Sequence, residues 1–151
     1  MKSYQKVLIA IDLEGGSKEV LSRAAQIISE STDAQVTVLN VGHYPMPTYA
    51  GVYGEGLYSA QEIAVDFSAI RAQIIPQIET LIEEAGITGA DAVVEFGLPA
   101  DLILELAERD ETDLIIVGSH GKHGIALLLG STATSVLHHA RCDVLAVRID
   151  K

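Results

Sequence analysis

Between Asp113 and Val147 the chain reads DLIIVGSHGKHGIALLLGSTATSVLHHARCDVLAV, which sets two glycine clusters between an apolar strand and a helix. Leu114-Ile115-Ile116-Val117, closed by Gly118, has the β-branched composition of a strand buried in a parallel sheet. Gly118-Ser119-His120-Gly121 follows as a turn in which two residues lack Cβ, so that a ligand can approach the main chain. Gly130-Ser131-Thr132 then opens a helix expected to run to about Ala140, and its free first-turn N–H groups and positive dipole end favour an anion. The chemistry this points to is main-chain binding of phosphate. The competing reading is ordinary loop punctuation, with Ser131 serving only as an N-cap.

The elements that must carry these turns follow from hydrophobic periodicity. Strands are expected at Lys6–Asp12, Gln35–Val41, Asp91–Phe96, Asp113–Val117 and Asp143–Ile149, and helices at about Lys18–Ser31, Ala60–Ala85 (with a kink at Pro76) and Ala100–Arg109, besides the one opening at Gly130. In the first helix Val20, Leu21, Ala24, Ala25, Ile27 and Ile28 share an apolar face, as in a surface helix packed on a sheet. Gly86 stands where a helix C-cap is expected. This alternation predicts an α/β fold, a five-stranded mainly parallel sheet in the order 3-2-1-4-5 with helices on both faces. In such sheets ligands bind beyond the carboxyl ends of the strands where the order reverses. Asp12 and Gly118 then become neighbours across that crevice, although more than a hundred residues separate them.

Three further residues gain meaning from that placement. Asp12, at a strand end, is a solvated carboxylate, a helix cap or an acceptor for an adenine or ribose group, and its position favours the last. Val41 ends strand two and would offer backbone N–H and C=O to the edge of an adenine ring, whereas its side chain says only core. Gly97, followed shortly by Pro99, either turns the chain or leaves room for a flat base. Between strand two and the long helix, residues 42–59 (GHYPMPTYAGVYGEGLYS) hold four of the five tyrosines and two of the four prolines. Loops of this length are functional or disordered, so the segment reads either as a tyrosine-rich flap over a ligand or partner, or as a surface excursion.

Other chemistries do not fit. GxxxxGK[ST] is missing, and Asp12-Leu13-Glu14-Gly15-Gly16-Ser17 after strand one lacks the G-x-G-x-x-G of a dinucleotide site. A phospho-receiver would need paired carboxylates after strand one, an aspartate after strand three and a lysine after strand five, where Gly97 and Arg148 stand. His120 and His123 lie on a glycine loop with no carboxylate or cysteine at ligand spacing, and His138-His139 suit the end of a helix dipole, so no metal site is expected on histidines. Nor is there a nucleophile elbow. The lone Cys142 reads as a buried, inert thiol.

The 151 residues are the size of one domain, and residues 1–151 are read as one. No apolar run approaches the roughly 20 residues of a membrane span. The N-terminus enters a strand directly, without a signal-peptide core, so a cytoplasmic location is expected. A formal charge of −11 argues against a nucleic-acid surface. The same field repels phosphate unless local N–H dipoles or a divalent metal compensate, and a glycine-lined helix start is such a device.

Taken together, the strand-one aspartate, the G-x-P turn after strand three and GSHG followed by GS before the last helix resemble the universal stress protein family over essentially the whole chain. The most specific part is Val117-Gly118-Ser119-His120-Gly121 through Gly130-Ser131 to Asp143–Val147. The resemblance implies a Rossmann-like fold that binds ATP or AMP, pairs as a homodimer and serves in stress resistance. It also implies Mg²⁺ or Mn²⁺ accompanying the phosphates. The family pattern G-x2-G-x9-G-[ST] is matched at Gly118, Gly121, Gly130 and Ser131, but only eight residues, Lys122 to Leu129, separate the two halves. That reads as a trimmed loop that still binds and that bears on ATP against AMP. By the resemblance Asp12 and Val41 meet the adenosine end, Gly118 the ribose region, and His120, Gly121, Gly130, Ser131 and Thr132 the phosphates. Among residues near the phosphates only His120 is a candidate base, so any hydrolysis or self-phosphorylation is expected to be slow. A nucleotide-independent dimeric module that docks unidentified protein partners through residues 42–59 is the alternative function.

Overall fold

The structure, a computed structural model, describes residues 3–31, 33–43, 66–119 and 129–149. Its elements run β1 (Lys6–Ile11), α1 (Ser17–Ile28), β2 (Gln35–Gly42), α2 (Phe67–Glu84), β3 (Asp91–Phe96), α3 (Pro99–Arg109), β4 (Leu114–Gly118), α4 (Ser131–His139) and β5 (Asp143–Val147). The five strands form one sheet in the order β3-β2-β1-β4-β5, and every pairing in it is parallel. Side-chain alternation then divides the core into two layers. Val7, Ile9 and Ile11 of β1, with Leu114 and Ile116 of β4, pack under Val20, Leu21 and Ala24 of α1 and Ile78 and Ile82 of α2. Leu8, Leu39, Ile115 and Val117 face the other way, onto Ile103 and Leu106 of α3 and Ala133 and Val136 of α4. Because β1 and β4 are buried on both faces, their sequences are continuous apolar runs rather than alternating ones.

The long helix is shorter than its periodicity predicts. It starts at Phe67, because the Asp66 side chain accepts a hydrogen bond from Ala69 N at 3.1 Å while Asp66 itself holds non-helical angles (φ −79°, ψ 84°). An N-cap of this type satisfies an orphan donor and sets the boundary, a signal that apolar spacing alone does not carry. Pro76 lies inside the helix. At the far end Gly86, with φ +72°, donates to Glu83 O, and Ile87 N donates to Ile82 O, so the helix closes in a Schellman motif. Of the tyrosine-rich segment, residues 44–59 lie outside the described residues.

At the amino ends of the strands Asp113 ties β4 to β1: its carboxylate accepts from Gln5 N at 2.8 Å and Lys6 N at 3.0 Å. Asp113→Ala is expected to lower stability by about 1.5 kcal/mol, the worth of hydrogen bonds to a charged acceptor at a partly exposed site. A urea unfolding midpoint that does not move would contradict that assignment.

Candidate functional site

After β1 the chain turns to α1 on one face of the sheet, and after β4 it turns to α4 on the other. The two adjacent strand ends therefore diverge and leave a crevice between them. A cavity of about 870 Å³ occupies it, a size suited to a small organic ligand. Asp12, Val41, Val117, Gly118, Gly130, Ser131 and Thr132 all line it. Gly97 is not in the lining: it follows edge strand β3, and its N–H donates to Gly42 O at 3.2 Å. His120 and Gly121 lie outside the described residues.

Asp12 is exposed at the mouth and caps no helix. One of its oxygens, Oδ1, accepts from Glu14 N at 3.0 Å, an Asx turn that aims the chain toward α1. Beside it, β2 outruns β1. The β1–β2 register ends at Ile11 opposite Asn40, whereas the β2–β3 register continues over Val41 and Gly42. The β1 side of Val41 thus has no strand partner.

Two helix N-termini open onto this cavity. The residue before α4 is Gly130 (φ −61°, ψ 157°), and no side chain caps the helix. Gly130 N is consumed by Ser119 O at 2.6 Å, so the donors available to an anion are those of the first turn, Ser131, Thr132 and Ala133. The N-cap position thus falls to Gly130, and Ser131 is the first helical residue. On the opposite side α1 begins after Gly16 (φ +75°), also without a side-chain cap; Ser17 Oγ instead accepts from Leu13 N at 3.2 Å. Both helices present positive dipole ends to one space, which offsets locally the acidic field of the chain. Reading residues 12–17 for known motifs missed this second terminus. The signal was Gly15-Gly16-Ser17 immediately before an amphipathic helix.

Three more residues shape the site through contacts that the sequence reading did not anticipate. Ser119 is buried, and its N–H donates to Val147 O at 2.8 Å while its Oγ accepts from Ile149 N at 3.3 Å. With its carbonyl engaged by Gly130, Ser119 joins β4, the end of β5 and the start of α4. Ile149 fills the space left by two glycines. A Cβ on Gly16 would lie 2.5 Å from Ile149 Cδ1, and one on Gly118 would lie 2.7 Å from the same atom. Ile149 Cδ1 therefore stands where a side chain at Gly118 would need room. Asn40, the third, is buried at 4% exposure and donates from Nδ2 to Ile11 O at 2.9 Å. Its signal was plain, an amide in the apolar run Val38-Leu39-Asn40-Val41.

Among the described residues no group of three or more His, Cys, Asp or Glu side chains is arranged to hold a metal ion. At the surface, Lys18 meets Glu84 at 2.8 Å, and the hydrogen bond it donates to that carboxylate raises the lysine above its ordinary pKa. The pair is solvated and contributes little to stability. No helix among the described residues is long and apolar enough to cross a membrane.

A model of the universal stress protein family matches residues 3–148. The chain belongs to the universal stress protein family. Among its relatives, universal stress protein A homolog 2 of Coxiella burnetii is 38% identical over 149 residues, covering 99% of this chain and 98% of its own length. Universal stress protein A homolog 1 of the same organism is 35% identical over 144 residues, covering 95% and 96%. A solved universal stress protein in complex with cAMP superposes with a TM-score of 0.70 at 26% identity, covering 99% of this chain and all of that one. In this universal stress protein the α/β fold with strand order 3-2-1-4-5 is thus both the observed architecture and that of its relatives.

Proposed function

We propose that this universal stress protein binds an adenine nucleotide, ATP or AMP, in the cavity between β1 and β4, and that it acts as a nucleotide-dependent regulator or stress-resistance factor in the cytoplasm. The observation that carries this reading is the convergence of the uncapped α1 and α4 N-termini on one cavity with Asp12 and Val41 at its β1–β2 end. Phosphate goes to the first turn of α4, where main-chain donors are available at Ser131 and Thr132, and adenosine goes toward Asp12 and Val41. The relative crystallised with cAMP carries the same three parts, a base, a ribose and a phosphate. His120 and Gly121 belong to the phosphate end by the family pattern, and Gly97 remains a candidate for the base. A divalent cation, Mg²⁺ or Mn²⁺, would enter on the phosphate oxygens, since the described residues supply no ligand set of their own.

Calorimetric titration of the nucleotide-free protein with ATP and with AMP tests this directly. Micromolar dissociation constants are expected, and the absence of heat with both ligands would overturn the reading. The proposed homodimer forms through residues 143–149, because β5 is an edge strand paired only with β4 among the described elements. Light scattering is expected to give twice the mass of the 16.1 kDa chain, and a monomer at micromolar concentration would remove the dimer from the proposal.

A further inference from the structure

The Asn40 side chain has more hydrogen-bonding capacity than the fold uses. A carboxamide offers two N–H donors and a carbonyl oxygen with two lone pairs. Here Nδ2 donates once, to Ile11 O at 2.9 Å, and no other hydrogen bond of this side chain is formed among the described residues. The residue is nevertheless 4% exposed and lines the cavity. A buried amide left partly unsatisfied is costly, and cores avoid it unless something else completes the set. The orientation is also fixed. Ile11 O can only accept, so a flipped amide would set two acceptors against each other, and Oδ1 must be the atom left over together with one N–H.

We infer that Asn40 is a specificity-determining residue for the nucleobase: Oδ1 accepts from the exocyclic amine of adenine, and the spare N–H is available to a ring nitrogen. This rests on the nucleotide-binding reading proposed above. Position separates Asn40 from the phosphates, since β2 lies two strand spacings, about 10 Å, from β4 across β1. It sits instead beside Val41 and opposite Ile11, next to Asp12, at the end assigned to adenosine. An adjacent acceptor and donor match a base edge that presents an amine beside a ring acceptor, as asparagine does with adenine elsewhere. A 6-oxo base in the same pose would set its oxygen against Oδ1.

The test is a competition between ligands on the intact protein, so that it does not depend on a variant folding. AMP, IMP and N6,N6-dimethyl-AMP are titrated calorimetrically. The expected result is that IMP and the dimethylated nucleotide each bind at least about tenfold more weakly than AMP, the scale of one unpaired buried polar group. Asn40→Leu, checked for folding by circular dichroism, is then expected to bring the AMP to IMP ratio close to one. Equal binding of AMP and IMP by the unaltered protein, or a ratio unchanged in Asn40→Leu, overturns the role of Asn40 while leaving nucleotide binding in place. Absence of binding by all three ligands to the unaltered protein overturns both.

Discussion

Gly130→Val is expected to abolish nucleotide binding, weakening it by at least about a hundredfold, while the domain stays folded. The backbone at Gly130 has φ −61° and ψ 157°, an extended conformation that a β-branched residue adopts without strain. Its N–H bond to Ser119 O and its carbonyl bond from Thr134 N use main-chain atoms only and survive the substitution. What changes is the approach to α4. Two Cγ methyl groups would stand beside the first-turn donors of Ser131 and Thr132, where an anion needs close access. Losing glycine at an N-cap costs stability by only about 0.5–1 kcal/mol. Calorimetry and thermal unfolding together check the claim, and unchanged nucleotide affinity in a folded variant would remove the phosphate from this end of the cavity.

Gly16→Ala is expected to destabilise the protein by about 2–5 kcal/mol, the largest stability effect among these changes. Two causes add. At φ +75° any residue with a Cβ pays about 1–2 kcal/mol for the left-handed conformation. In addition the new methyl group would lie within 3.0 Å of three Ile149 carbons, and forcing that side chain aside costs about 1–3 kcal/mol. Gly118→Ala is milder, because its φ is not left-handed and only the tip of Ile149, Cδ1, comes as close as 2.7 Å. A double-mutant cycle with Ile149→Ala separates the causes. The packing part should vanish in the double variant, giving a coupling of about 1–3 kcal/mol, while the conformational part of Gly16→Ala remains. Strict additivity in denaturant unfolding would mean that Ile149 does not fill the space between the two glycines.

Much of the architecture was legible in the chain because it depends on local pattern. Continuous apolar runs at Lys6–Ile11 and Leu114–Gly118 mark strands buried on both faces, and 3.6-residue spacing marks α1 and α3. Boundaries were less legible where a single polar contact sets them, as the Asp66 cap does for α2. The candidate site divides in the same way. Asp12, Val41, Gly118 and Gly130–Thr132 were found because each sits at the end of a periodic element, and strand order alone brings such ends together. The contacts of Asn40 and Ser119 were passed over because their partners, Ile11 O, Val147 O and the Ile149 amide, lie 28–30 residues away along the chain.

By itself, then, the sequence determined the order and type of the elements, the reversal point of the sheet and the glycine-marked helix start beyond β4, all of which follow from periodicity and backbone freedom over a few residues. Only the tertiary structure decided that α1 as well as α4 opens onto the cavity, that Gly97 stands outside its lining, that Ile149 fills the space beside Gly16 and Gly118, and that the Asn40 amide is held by β1 with capacity to spare. These depend on which side chain meets which across the sheet. Packing between elements distant in sequence fills space and pairs polar groups in three dimensions, and no local pattern records it.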